Sequence, residues 1–154
     1  MRKILLLLAL GVFMSACAGK TDKTDKTVES MMEEEPLDPG KGYSEIKHVP
    51  LNDPLNAFMV SRGKTLYEMK CASCHVLDDP KVIGPGWKGV TERRSPEWIM
   101  NMITNVNIML ATDSTAQALL KDCLVRMPAE NISVGDARDI LEFMFANDGK
   151  PVGK

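Results

Sequence analysis

The five residues Cys71-Ala72-Ser73-Cys74-His75 constrain this chain more than any other stretch. Two cysteines separated by two residues can set both sulfurs along one edge of a flat macrocycle, and the adjacent histidine then brings a neutral imidazole under the metal at its centre. In a chain that opens with an export signal, this spacing reads as covalent attachment of haem c. Two other chemistries use the same residue types. A zinc ribbon needs a second pair of ligands, and His48 and Cys123 stand far apart and unpaired. A redox dithiol of the thioredoxin kind follows a strand in an α/β pattern, and no strand-like alternation of useful length occurs here.

The N-terminus explains the export reading. Met1-Arg2-Lys3 is basic, Ile4 to Met14 is unbroken apolar sequence, and Ser15-Ala16-Cys17 supplies small residues. The run is too short to span a bilayer as a helix, so residues 1–16 are expected to be an export signal. Met14-Ser15-Ala16-Cys17 resembles a bacterial lipobox, with methionine where leucine is usual. That resemblance implies a lipid on Cys17, which would anchor the protein to the periplasmic side of a bacterial membrane without a transmembrane helix. Plain secretion with cleavage near Ala16 is the alternative.

Residues 17–53 are expected to be a disordered tether. Lys20 to Thr27 repeats Thr-Asp-Lys, Glu33-Glu34-Glu35-Pro36 follows, and no apolar period runs through the stretch. Such a leash reaches on the order of 100 Å stretched and about 35 Å relaxed, enough to concentrate a domain near membrane-bound partners. The formal net charge of −2 implies neither nucleic acid nor a strongly anionic surface as a partner. With Cys17 assigned to lipid and Cys71 and Cys74 to haem, Cys123 is left alone and no structural disulfide is expected.

From residue 54 the sequence reads as helices. Asp53 and Pro54 predict a helix start, with Leu55, Met59, Gly63, Leu66 and Tyr67 on its apolar or small face. Lys81 to Glu92 holds Gly84, Pro85, Gly86 and Gly89 and predicts a rigid loop. Ser95 and Pro96 open a helix whose stripe is Trp98, Ile99, Met102, Ile103 and Val106. Another is predicted from near Asp113, with Ala116, Leu119, Leu120 and Cys123 on one face, stopping before Pro128. Ser133-Val134-Gly135-Asp136 predicts the start of a last helix through Ala146, burying Ala137, Ile140, Leu141, Met144 and Phe145. Residues 150–154 are expected to fray.

Over residues 54–149 the chain resembles the class I c-type cytochromes. The resemblance implies an all-α cytochrome c-like fold of about four helices around one covalent haem c, bound through Cys71, Cys74 and His75. It implies that Gly63 and Tyr67 cross the last helix at Phe143, and that the Pro85 carbonyl, in the pair Gly84-Pro85, accepts the N–H of the ligand histidine. It places Arg93 near a haem propionate with Trp98 close by, and it points to Met127, in Arg126-Met127-Pro128, as the sixth ligand. Met100, Met102, Met109 and Cys123 stay open as alternatives, whereas His48 is expected to be exposed. Lys64, Lys70, Lys88 and Arg126 are the cations available to ring an exposed haem edge.

Two filled axial positions define a single-electron carrier rather than an enzyme. Its expected partners are periplasmic or membrane redox enzymes: a quinol-oxidising complex as donor and a reductase or oxidase as acceptor. Residues 82–102 and 123–128 resemble lipoprotein cytochromes found beside nitrous oxide reductases, which makes such an enzyme a candidate acceptor. An open-site haem enzyme or gas sensor, and a fixed subunit of a respiratory complex, are the competing readings.

Overall fold

The structure is a computed structural model and describes residues 45–154. The export signal, the lipid attachment expected at Cys17 and the tether up to residue 44 lie outside the described residues. Six helices follow: α1 Ala57–Lys70, α2 Val90–Arg93, α3 Pro96–Thr104, α4 Val106–Thr112, α5 Ser114–Cys123 and α6 Val134–Asn147. Among the described residues no helix is long and apolar enough to cross a membrane.

The first helix starts later than the Asp53-Pro54 pair predicts. Asn56 caps it, accepting from Phe58 N at 3.0 Å and Met59 N at 3.2 Å. The cause is tertiary, because Leu55 is fully buried and its backbone is already committed. Its N–H donates to the Pro151 carbonyl at 2.9 Å, and its carbonyl accepts from Gly153 N at 2.8 Å. The same two bonds correct the expected fraying of residues 150–154, which are tied to the start of the domain.

α1 and α6 cross where a side chain could not fit. A Cβ on Gly63 would collide with the Asp139 carbonyl and come within 2.9 Å of Phe143 Cβ. Glycine in a helix interior costs about 1 kcal/mol against alanine, and here it permits the backbone approach. Arg62 closes the crossing with a forked pair on buried Asp139, Nε to Oδ2 at 2.6 Å and Nη2 to Oδ1 at 2.9 Å.

α6 starts as predicted, with the Ser133 hydroxyl accepting from Asp136 N at 3.1 Å. Its buried side is wider than the apolar stripe, because Asp139 and Glu142 are buried as well. Glu142 Oε1 accepts from Arg138 Nη2 at 2.7 Å, Asn52 Nδ2 at 3.0 Å and Asn52 N at 3.2 Å, while Oε2 accepts from Asn56 N at 3.0 Å. A buried carboxylate is tolerable when its lone pairs are filled in this way.

Those bonds also move the domain boundary. Residues 45–53, assigned from the sequence to the tether, lie against the helices. Ile46 exchanges two bonds with the Asn101 side chain, at 3.0 and 2.9 Å, and Val49 N donates to Glu97 Oε1 at 3.0 Å. Val49 itself is buried.

The helix opened by Ser95 ends at Thr104, two residues before Val106. Asn105 leaves the helical region at φ −141°, ψ 49°, and its side-chain amide donates to Thr104 Oγ1 at 3.0 Å. Val106 therefore opens α4 and joins a second apolar cluster with Met109, Leu110 and Ala116. The main cluster contains Tyr67, Trp87, Ile99, Met100, Ile140 and Phe143. A cavity is walled by residues of both clusters.

Candidate functional site

The motif residues enter this cavity because the chain leaves α1 in a further tight turn. Cys71 N and Ala72 N both donate to the Tyr67 carbonyl, at 2.8 and 2.9 Å, and His75 N donates to the Cys71 carbonyl at 2.9 Å. Cys71, Cys74 and His75 thereby line one cavity. The three described cysteines carry no disulfide. Burial raises the Cys71 thiol to about 11, helped by the Glu130 carboxylate, so before any covalent attachment it is a neutral thiol.

The glycine-rich loop folds back along the residues that follow the motif. Gly84 N donates to the Cys74 carbonyl and Trp87 N to the Val76 carbonyl, each at 2.9 Å. This seats Gly84 under the imidazole, where an added Cβ would stand 2.7 Å from His75 Nδ1. It also sets the Pro85 carbonyl 2.9 Å from that nitrogen. A carbonyl only accepts, so Nδ1 carries the proton and Nε2 keeps a lone pair for a metal. The Tyr67 hydroxyl donates to the His75 carbonyl at 2.7 Å, and the Trp87 ring lies 4.8 Å from Tyr67 and 5.8 Å from His75.

Arg93 lines the cavity but spends two donors on its own loop, Nη1 to Lys88 O at 2.6 Å and Nη2 to Gly86 O at 3.3 Å. Trp98 also lines it, and its indole N–H donates to Asp113 Oδ1 at 3.1 Å. Arg94, which sequence reasoning passed over, lies 5.1 Å above the Trp98 ring and lines the same wall. Trp87 was missed too. Its sequence signal was a lone tryptophan inside a glycine-rich loop, and only the folded loop shows it buried against His75.

The sulfur candidates separate by position. Met127, Met102 and Cys123 line the cavity; Met100 is buried in the main cluster and Met109 in the second, and neither lines it. Met127 packs against the second cluster from the loop between α5 and α6. His48 is exposed. Of the cations expected around the edge, Lys70 and Arg126 line the cavity, whereas Lys64 and Lys88 do not. Lys64 instead pairs with Glu68 at 3.4 Å along α1.

The site fits a covalently held haem: two thiols, an imidazole with a free lone pair, and walls built from Ile99, Ile103, Leu110, Ala116, Leu120 and Ile132. The sequence profile of the cytochrome c family matches residues 60–146, and the chain belongs to that family. It is a class I c-type cytochrome that carries haem c through Cys71 and Cys74 and transfers electrons. Cytochrome c from Rhodothermus marinus is 31% identical, with a TM-score of 0.66, over 68% of this chain and 90% of that one. An engineered form of the same protein, Rma TDE, is 32% identical with a TM-score of 0.64 over the same shares. A further structure of Rma TDE, bound to a carbene intermediate, is 31% identical with a TM-score of 0.62. No curated protein sequence matches the chain.

Proposed function

We propose that this cytochrome is a lipid-tethered carrier on the periplasmic side of a bacterial membrane, with His75 and Met127 as the axial ligands of its haem. The observation that supports the ligand pair is their convergence on one cavity. His75 holds its Nδ1 proton on Pro85, and Met127 comes from the loop between α5 and α6 with Pro128 behind it. Bound there, haem c would supply a one-electron couple, and a thioether ligand from Met127 would favour ferrous iron.

The chain's own residues do the rest. Pro85, Gly84 and Trp87 hold the imidazole ring, and the two apolar clusters exclude water around it. Cys17 would carry the lipid, and the residues before the folded domain would set its reach. Electrons would arrive from a quinol-oxidising complex and leave to a reductase or oxidase. A nitrous oxide reductase is the candidate acceptor, on the sequence likeness of residues 82–102 and 123–128.

The test is an optical redox titration of residues 18–154, matured with the haem-attachment machinery, beside its Met127→Ala variant. One haem with a positive potential and a thioether charge-transfer band that the variant loses is the expected result. An unchanged variant removes Met127 as the ligand, and a wild type that is high-spin and binds carbon monoxide removes the carrier reading.

A further inference from the structure

The contact between His75 Nδ1 and the Pro85 carbonyl joins two segments of chain, and both take their position from α6. Tyr67 packs on Phe143 of α6 at 5.5 Å and donates to the His75 carbonyl, so it holds the motif side. The loop that carries Pro85 is gripped where α6 ends. Asn147 Nδ2 donates to the Leu77 carbonyl at 3.2 Å, just after the motif. The Asp148 carboxylate takes the far end of the same loop. Its Oδ1 accepts from Gly89 N at 2.6 Å, and its Oδ2 accepts from Thr91 N at 3.0 Å and Thr91 Oγ1 at 2.7 Å.

Local sequence leaves the start of α2 without a cap of its own. Gly89 is the N-cap residue, at φ 66°, and glycine has no side chain with which to accept the first N–H groups of the helix. Asp148, 59 residues further on, supplies the acceptor, and bonds to an ionised carboxylate are stronger than neutral ones. Asp148 is itself fixed, since its N–H donates to the Met144 carbonyl at 3.1 Å and Lys150 N donates to the Phe145 carbonyl at 3.0 Å.

Between its two ends the loop is stiff. Arg93 ties the Lys88 and Gly86 carbonyls together, Trp87 N is bonded to the Val76 carbonyl, and a Cβ on Gly86 would collide with the Asp78 carbonyl. A displacement at Gly89 is therefore passed on to Pro85.

We infer that Asp148 is a positioning residue for the histidine of the haem motif: it clasps the loop to the end of α6 and so keeps the Pro85 carbonyl on His75 Nδ1. The inference rests on the reading of His75 as an iron ligand. A bond from Nδ1 to a carbonyl makes the imidazole a better donor, which favours ferric iron. Without the clasp the loop samples positions in which that bond is long, and the midpoint potential rises. Loss of the Asp148 charge raises the potential as well, so charge and position have to be separated.

NMR of the reduced holoprotein with labelled histidine, beside a redox titration, makes the separation. Asp148→Asn removes the charge and keeps an oxygen for Gly89 N, whereas Asp148→Ala removes both. The His75 Nδ1 proton should exchange with solvent on the order of tenfold faster in Asp148→Ala and within about twofold of wild type in Asp148→Asn. The alanine variant should also have the higher potential of the two. Thr91→Val deletes one bond and no charge, so it should move both readouts the same way by less. Ser133→Ala removes the cap at the other end of α6 and controls for lost stability, with both readouts unchanged.

An Nδ1 proton unmoved by Asp148→Ala, or by Thr91→Val should the alanine variant fail to mature, overturns the inference. Equal potentials in the alanine and asparagine variants leave only a charge effect and overturn it too, as does a Ser133→Ala protein that shifts as far as Asp148→Ala. Wild-type His75 ring protons without the upfield shift of an imidazole facing a haem ring would remove the ligand reading itself, and the inference with it.

Discussion

The hydroxyl of Tyr67 donates to the backbone carbonyl of His75 at 2.7 Å, so the helix that crosses α6 also holds the histidine of the haem motif. The Tyr67 ring fills the angle between Phe143, at 5.5 Å, and Trp87, at 4.8 Å. Helix crossing and haem site are thus parts of one packed unit. Burial raises the Tyr67 phenol above its ordinary value, which keeps it a donor.

Tyr67→Phe keeps the ring and deletes the donor. It should cost about 1 kcal/mol, the usual loss when a half-buried carbonyl gives up its partner. Denaturant unfolding of the holoprotein should show a lower midpoint with an unchanged slope.

Gly63→Ala sets helix propensity against space. The gain of about 1 kcal/mol from alanine is outweighed by collision with the Asp139 carbonyl and Phe143 Cβ, so a net loss of about 1–3 kcal/mol is expected. A variant as stable as wild type in thermal unfolding would show that the crossing can open without cost.

Gly84→Ala pushes on the imidazole from beneath, because its methyl would lie 2.7 Å from Nδ1. Displacing the ring weakens the bond to the Pro85 carbonyl and, with His75 as the proposed ligand, would weaken its donation to iron. Ferric haem loses more than ferrous haem by this, so the midpoint potential should rise in a redox titration while the haem stays covalently bound.

Glu142 makes stability depend on acid. Burial pushes its carboxyl upward, but the Arg138 guanidinium and the N–H groups of Asn52 and Asn56 outweigh that and hold it below its ordinary value of 4.5. The folded form therefore binds a proton less readily than the unfolded chain. Its contribution is complete above the ordinary carboxylate range and is lost as pH falls through the lower, folded value. Glu142→Gln should cost about 3 kcal/mol near neutral pH by leaving Arg138 without its charge partner. The gap between the two proteins should narrow as pH falls, and a gap that is constant from neutral to acid pH would contradict the assignment.

Features written in adjacent residues were legible from the sequence. The haem motif, Ser95 with Pro96, Asp113 and Ser133 each act within a few residues of themselves, so their spacing carries their meaning. Gly63, Tyr67 and Phe143 were legible through family resemblance, and the structure brings them together at the crossing. The sulfurs were legible only as a set, since Met100, Met102, Met109, Cys123 and Met127 look alike until a cavity separates them.

What the sequence by itself determined was therefore the cofactor, the helical class and three of the six helix starts, those of α3, α5 and α6, because local hydrogen bonding and apolar period decide those. Tertiary structure decided the rest, because each remaining feature depends on a partner distant in the chain. Asn56 displaced Asp53 as the first cap once Leu55 was claimed by Pro151 and Gly153. Glu142 became a buried anchor because Asn52, Asn56 and Arg138 converge on it. Residues 45–53 joined the domain through Asn101 and Glu97, and Trp87 became a wall of the site only after its loop had folded back onto Val76.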